Sequence, residues 1–219
     1  MRAEEAVGEG FSTAHQHEAQ RVTWRVLEQT AQNVRPGHCV ADVRALLERA
    51  MAEHGVDKAW HPPQLRLGAS TCCPFNAAAL SKAPLEEEDI FFLDLGLIVQ
   101  GHEGDCGRTF TLGDNAEMQR CAADAQRMHA EGVAKWCDTQ CTGKALYAWA
   151  RERASELGWQ LALHHADGHR IGDLPHRRFF KGNLAGRSYT PASERWIFEV
   201  QLLDPQRRFG AFYEDMLSA

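Results

Sequence analysis

Two aspartates stand eleven residues apart within one strand-forming stretch, residues 91–110. Asp94 lies in an apolar run, and Asp105 follows a break of Gln, Gly, His and Glu residues that is typical of a turn. If residues 100–101 form a two-residue loop, Gly96 faces Asp105, and Asp94 then shares its sheet face because side chains alternate along a strand. Two carboxylates this close repel each other unless one is protonated or a cation lies between them. We therefore predict a β-hairpin that presents two acids to one site, against the alternative of an acidic turn on an edge hairpin.

A histidine-rich stretch, residues 164–176, could supply nitrogen ligands or acid–base groups. Its two glycines would let a ligand approach the backbone closely. Neutral imidazole is the usual nitrogen ligand of zinc, iron, cobalt or manganese, and a second histidine seven residues further on could polarise a substrate carbonyl. The alternative is a polar surface loop without a ligand. The histidines are His164, His165, His169 and His176.

Two strand-like runs near the C-terminus add more polar side chains. In residues 196–205 the alternation puts Glu199 and Gln201 on one face. Residues 210–217 carry Glu214, for which a salt bridge to an arginine is the alternative. Together with the aspartates and a histidine, these residues form an oxygen-rich set with one nitrogen. Such a set suits paired divalent cations such as manganese, cobalt, iron or zinc.

The composition predicts one soluble, cytoplasmic domain over residues 1–219. The 219 residues are 44% hydrophobic, which is enough for one well-filled core. A formal charge of −6 without a basic cluster argues against nucleic-acid and anionic membrane partners. No apolar run approaches the roughly 20 residues that span a bilayer. Residues 1–12 are expected to form a flexible N-terminal tail.

The secondary-structure pattern that must position these residues is typical of an α+β fold. Apolar residues repeat at helical spacing in four segments, and alternate or cluster in the shorter strand-like ones. Because no repeat or linker divides the chain, we expect helices packed on a largely antiparallel sheet. Helices are predicted at 13–35, 40–54, 115–138 and 142–157, and strands at 65–67, 160–164, 196–203 and 210–216 in addition to the hairpin.

Two of these stretches match the motifs of a known family. Residues 94–96 (Asp-Leu-Gly), Asp105 and residues 108–110 (Arg-Thr-Phe) match the first motif. Residues 168–172 (Gly-His-Arg-Ile-Gly) and His176 match the second. In this order the motifs resemble those of the pita-bread metallohydrolases, which include methionine aminopeptidase, Xaa-Pro aminopeptidase, prolidase and the metal-free creatinase.

The resemblance covers roughly residues 13–219 and implies the pita-bread fold, a curved, largely antiparallel sheet covered by helices. It implies no counterpart of the extra N-terminal domain found in the proline-specific and creatinase branches. His165 resembles the additional histidine of the Xaa-Pro aminopeptidases. Asn76 and Ala77 stand near the place where catalytic members carry a substrate-binding histidine.

By the same resemblance, the chain would hold one or two divalent ions of Mn, Co, Fe or Zn, and His176 and His165 would stabilise a tetrahedral oxyanion. A gap-free alignment puts Gln201 at the position of a metal-binding glutamate, and Glu199 lies two residues earlier on the same face. A neutral amide binds a dication more weakly than a carboxylate does, so both residues stay candidates. The implied metal ligands are Asp94, Asp105, His169, Glu214 and either Glu199 or Gln201.

The implied activity is metal-dependent hydrolysis of the aminopeptidase type, in which a metal-activated water attacks the amide after an N-terminal residue, or a small amide. Two alternatives stay open. One is a metal-free, creatinase-like hydrolase of a small C–N bond with His176 or His169 as its base, and the other is a non-catalytic binding protein that kept the fold. The expected partners are a peptide or small amide substrate and, as a further alternative, a second copy of the chain in a homodimer.

Overall fold

The structure, a computed structural model, describes residues 2–56, 58–75, 83–162, 166–172, 175 and 180–219. Over these ranges the chain forms four α-helices and six strands, and none of the helices is both long and apolar enough to cross a membrane. In chain order they are α1 (Thr13–Gln32), α2 (Val40–Glu53), β1 (Gln64–Leu67), β2 (Asp89–Val99), β3 (His102–Leu112), α3 (Ala116–Thr139), α4 (Gly143–Glu156), β4 (Gln160–Leu161), β5 (Ile197–Leu203) and β6 (Gly210–Met216).

The four predicted helices are confirmed, and their ends differ from the predicted ends by no more than three residues. Three of them begin at side-chain caps. Ser12, Asn115 and Thr142 each accept a hydrogen bond from the backbone N–H three residues further on. Such caps satisfy N–H groups that have no partner inside the helix.

The strands form one antiparallel sheet in the order β1-β2-β3-β6-β5-β4. The predicted hairpin is confirmed, with Gly96 paired to Asp105 across β2 and β3. Its two loop residues, Gln100 and Gly101, both have positive φ, as a two-residue hairpin loop of the primed type requires. Strand β4 ends earlier than the prediction, and residues 163–165 lie outside the described ranges.

All four helices pack on one face of the sheet. Alternate side chains of the strands, such as Leu93 and Leu95 in β2 and Phe198 and Val200 in β5, point into this layer. One core cluster joins α1 and α2 to β1, β2 and β3, and the other joins α3 and α4 to β5 and β6. The side chains between them in sequence, Asp94 and Glu199 among them, therefore point to the opposite face.

The N-terminal segment differs from the expected flexible tail. Ala3–Glu5 form a 3-10 turn, and Glu5 is 3% exposed. Its Oε1 accepts hydrogen bonds from Trp196 Nε1 and from the backbone N–H of Ala192, both at 2.8 Å. The guanidinium of Arg170 donates to the carbonyl of Ala6 at 2.8 Å. These contacts hold the segment against the sheet, and the acidic, glycine-containing sequence does not reveal them.

We expect Gly104→Ala to destabilise the protein by about 1–3 kcal/mol, the usual cost of overpacking a core. A Cβ at Gly104 in β3 would overlap the carbonyl oxygen of Ala19 and the hydroxyl of Thr23, both in α1. Urea unfolding measures the change. The control is Gly10→Ala, because a Cβ there has no atom within 4 Å and should change stability by less than about 0.5 kcal/mol. Equal stability of both variants would contradict this close packing.

Candidate metal centre

Acidic residues form a row across the sheet face that the helices leave uncovered. Asp94 pairs with Gly107, Gly107 with Glu214, and Glu214 with Glu199. Residues directly opposite one another in antiparallel strands share a face, so the three carboxylates point the same way with a glycine between them. Asp105, two residues before Gly107, joins them on that face. Register alone thus brings four carboxylates from four strands together.

The row is buried, with Asp105 only 1% and Glu214 only 3% exposed. Among the described residues, neither side-chain oxygen of Asp105 receives a well-aligned hydrogen bond, and the same holds for Oε1 of Glu214. Buried carboxylates that lack such donors are costly unless they bind a proton or a cation. The row therefore requires positive charge.

His169 supplies part of that charge from the loop before β5. Its Nε2 lies 2.7 Å from Asp105 Oδ2 and 3.8 Å from Glu199 Oε1. Its Nδ1 bonds to the carbonyl oxygen of Arg170 at 2.7 Å, and since a carbonyl only accepts, Nδ1 carries the hydrogen. Gly168, with a φ of 67°, lets the loop pass close to Ile197, whose carbonyl a Cβ would crowd. In the neutral ring the lone pair of Nε2 then faces the acids.

A second histidine, His61, lies on the other side of the aspartates and was not among the residues predicted to form the site. Its Nε2 is 3.4 Å from Asp94 Oδ1 and 3.5 Å from Asp105 Oδ1. The segment before it runs along the end of β2, where the N–H of Trp60 donates to the carbonyl of Gly96 at 2.9 Å. No regular spacing links His61 to the acids, so only the Trp-His-Pro-Pro sequence next to a predicted strand could have suggested it.

Burial and mutual repulsion change the acidity of these carboxyls. Burial raises the pKa of Asp94 to about 6 and that of Glu199 to about 8, and it holds the pKa of Glu214 well above its ordinary value. Asp105 behaves differently, because its contacts with the histidines outweigh burial and lower its pKa. The cluster therefore retains protons near neutral pH, and a bound cation would displace them.

For the two histidines, burial and the neighbouring carboxylates shift the pKa in opposite directions. Burial disfavours their charged forms, yet the neighbouring carboxylates prevail. Asp94 and Asp105 raise the pKa of His61 to about 9, and Asp105 with Glu199 raises that of His169 to about 9. In the absence of another cation, both rings thus act as counter-ions for the acids.

Among the residues that the structure describes, two groups of donor atoms are close enough for each to bind a single cation. The first is formed by His61, Asp94 and Asp105, the second by Asp105, His169 and Glu214, and the donors within each group lie within 4.8 Å of one another. Gly107 contributes no side chain to the middle of the row, and a Cβ there would lie 2.5 Å from the ring of Phe212 and 3.0 Å from Glu214 Oε1. Mixed carboxylate and imidazole donors suit zinc, iron, manganese or cobalt. The residues present therefore fit a divalent metal site that uses Asp105 twice.

Gln201 lies outside this row. It pairs with Phe212 rather than with Glu214, and its Nε2 donates to the carbonyl of Thr71 at 3.0 Å. Glu199 is the residue of β5 that stands opposite Glu214. Between the two candidates that the sequence left open, the geometry favours Glu199.

Two residues predicted to be catalytic, His165 and His176, lie outside the residues that the structure describes. The same is true of Asn76 and Ala77. Their roles stay predictions.

Comparison with known families identifies the chain's relatives. The model of metallopeptidase family M24 matches residues 14–218. The chain belongs to metallopeptidase family M24. The matched range contains the whole acidic row, together with His61 and His169.

Two curated relatives of this chain are named as peptidases. A methionine aminopeptidase of Archaeoglobus fulgidus is 26% identical over 129 residues, which are 59% of this chain and 44% of the relative. An Xaa-Pro dipeptidase of Pyrococcus horikoshii is 27% identical over 135 residues, or 60% of this chain and 37% of the relative. The chain thus spans less than half of the length of these two relatives.

Solved structures of peptidases share the fold of this chain. An X-Pro aminopeptidase from Thermotoga maritima superposes with a TM-score of 0.76 at 18% identity, over 98% of this chain and 62% of that one. A methionine aminopeptidase from the same organism gives a TM-score of 0.69 at 13% identity, over 93% of this chain and 92% of that one. The fold is therefore the pita-bread fold, as the motifs predicted.

We expect the metal-free protein to lose stability as the pH rises from about 5 to about 9. Carboxyls and histidines with raised pKa values bind more protons in the folded than in the unfolded state, so stability falls as those protons are released. Asp105, with its lowered pKa, loses its contribution only at more acid pH. Thermal melts of chelator-treated protein measure this trend.

The control for this prediction is the same protein with an excess of a divalent cation. The cation replaces the released protons, so the decline in melting temperature with pH should become smaller. A melting temperature of the metal-free protein that rises over this pH range would contradict the expectation.

Proposed function

We propose that this chain is a metal-dependent hydrolase of the aminopeptidase type, which removes an N-terminal residue from a peptide or splits a small amide. The observation that supports it most is the buried row of Asp94, Glu214 and Glu199 with Asp105 and His169 at its centre. Two dications would balance the charge of these four carboxylates. The family to which the chain belongs supports the same assignment.

In this proposal Asp94 would hold one ion, His169 and Glu199 would hold the second, and Asp105 and Glu214 would be shared by both. Glu199 takes the place that a gap-free alignment gives to Gln201, because Glu199 stands opposite Glu214 and carries the negative charge that an amide lacks. The choice of Mn, Co, Fe or Zn as the metal rests only on the mixed oxygen and nitrogen donors, which suit all four.

Bound divalent cations would supply Lewis-acid polarisation of an amide carbonyl and a water of lowered pKa. The chain's own residues provide the positioning. Gln20 in α1 accepts a hydrogen bond from the N–H of Asp105 at 2.9 Å and donates to its carbonyl, which anchors β3 at this residue. The Nδ1 bond to Arg170 orients the ring of His169. A carboxylate and an imidazole held in this way need little rearrangement to bind a cation.

Aromatic rings near the centre support a substrate with an apolar N-terminal side chain. The rings of Trp60 and Phe75 lie 4.3 Å and 5.8 Å from that of His61, and Phe75 is 39% exposed. An apolar side chain could cover Phe75 while the scissile amide lies over the acids. The names of the relatives, methionine aminopeptidase and Xaa-Pro dipeptidase, support a peptide substrate without specifying its first residue.

The test is turnover of a peptide library by chelator-treated protein before and after addition of Mn, Co, Fe or Zn. We expect release of N-terminal residues that depends on the added metal. Turnover that is independent of metal would instead support the creatinase-like alternative. Failure to cleave any peptide or small amide with any of these metals would contradict the proposal and favour a binding protein.

We expect Glu199→Gln to weaken metal binding by about tenfold or more, because it removes a negative ligand from the row. Gln201→Ala, the matched control on the same strand face, should leave metal affinity unchanged, because Gln201 donates to Thr71 instead. Calorimetric titration of both variants with Mn measures the two affinities. Loss of metal in Gln201→Ala but not in Glu199→Gln would return the ligand role to Gln201.

We expect His176→Ala to keep its metal and lose turnover by about two orders of magnitude, the scale for removal of one oxyanion donor. His169→Ala should lose metal as well as turnover, because Nε2 of His169 faces Asp105 and Glu199. Metal analysis after dialysis, together with kcat measurements, separates the two effects. Equal metal loss in both variants would refute the division between a ligand and an oxyanion group. His165→Ala tests the additional histidine in the same way.

A further inference from the structure

We propose that His61 is a metal ligand that binds, with Asp94 and Asp105, the first of the two ions. The centre then has one imidazole for each ion, whereas the ligand set implied by the sequence contained only His169. This inference rests on the proposed function, because it requires a metal centre in the row.

The donor distances fit coordination better than a direct hydrogen bond. Nε2 of His61 lies 3.4 Å from Asp94 Oδ1 and 3.5 Å from Asp105 Oδ1. An N–H···O bond usually spans about 2.7–3.2 Å. Two ligands bound to one ion at about 2.1 Å each are roughly 3.0–3.4 Å apart in octahedral or tetrahedral geometry. The two distances from His61 thus match those between ligands of one ion, and all three donor atoms lie within 4.8 Å of one another.

The other ring nitrogen of His61, Nδ1, makes the hydrogen bond that is usual for metal-binding histidines. Nδ1 of His61 lies 2.9 Å from the carbonyl oxygen of Pro62, so Nδ1 carries the hydrogen. His169 has the same arrangement with the carbonyl of Arg170. Such a bond fixes the tautomer and leaves the lone pair of Nε2 for a metal. Both histidines thus present the same atom to Asp105, from its two sides.

The sheet leaves space for this ring. A Cβ on Gly96 would overlap the imidazole of His61, so the glycine opposite Asp105 allows the ring to lie on the acidic face. Backbone hydrogen bonds from Ile98 to Lys58 and from Trp60 to Gly96 hold the preceding segment along β2. The side chain of His61 is only 9% exposed. His61 is therefore held over the aspartates by the backbone rather than reaching them from a surface loop.

Cobalt(II) tests the inference without an assay of activity. Coordinated histidines whose N–H is hydrogen-bonded give hyperfine-shifted, exchangeable proton signals in the NMR spectrum of a cobalt protein. We expect two such signals and two cobalt ions per chain in the wild type. His61→Ala should lose one signal and one ion, His169→Ala should lose the other signal, and the exposed control His17→Ala should keep both.

The outcomes separate the inference from the proposed function. Two bound ions with a single shifted signal, or an unchanged spectrum in His61→Ala, would overturn the role of His61 and leave the metal centre intact. One bound ion in the wild type, with His61 as a protonated counter-ion of the aspartates, would overturn it too. Absence of any bound cobalt would overturn the proposed metal centre itself.

A second variant guards against simple misfolding of His61→Ala. In cobalt-loaded His61→Cys, a thiolate at this position should give a sulfur-to-cobalt charge-transfer band that the wild type lacks. Two bound cobalt ions without that band would overturn the inference. Far-UV circular dichroism of the metal-free variants confirms that each one is folded.

Discussion

Mutual repulsion of four buried carboxylates is the constraint on which the rest of this structure depends. Asp94, Asp105, Glu199 and Glu214 face one another from four strands, and an isolated ionised carboxylate is among the costliest groups to bury. No local segment could hold such a set. The antiparallel sheet does so because its register is determined by a tight hairpin on one side, by the β5–β6 pairing on the other, and by apolar packing of all four helices beneath. Stability gained on the apolar face offsets the cost on the acidic face.

The centre forms only when strands that are far apart in the sequence pair with each other. The β2–β3 hairpin can bring Asp94 and Asp105 together by itself, since only two residues separate its strands. Glu214 joins them only when β6 pairs with β3, which brings Gly107 beside a residue far along the chain. Gln20 in α1 adds a further tie, because it binds the backbone of Asp105 and also the side chain of Asp215 in β6. The same helix thus holds both strands that meet at the centre.

The sequence predicts those parts of the centre whose geometry is local. Strand alternation and a two-residue turn were sufficient to put Asp94 and Asp105 on one face, and apolar residues at helical spacing were sufficient to locate the helices. The choice between Glu199 and Gln201 could not be made in this way, because both share a face and only the partner strand shows which one stands opposite Glu214. His61 and the packed Glu5 were missed for a related reason: each reaches its partners through tertiary contacts that leave no periodic signal in the chain.

Each residue of the Asp-Leu-Gly motif, Asp94 to Gly96, has a distinct structural role at the centre. Asp94 supplies a carboxylate, Leu95 points into the core, and Gly96 removes a side chain from the position opposite Asp105. In this chain the vacated volume is occupied by the imidazole of His61. At Gly107 on the next strand, the corresponding volume is taken mainly by the ring of Phe212, and Glu214 Oε1 lies slightly further away. A side chain at Gly96 would therefore displace the ring of His61 and disturb the charge balance of the row without changing any of the four carboxylates, whereas a side chain at Gly107 would first meet the ring of Phe212.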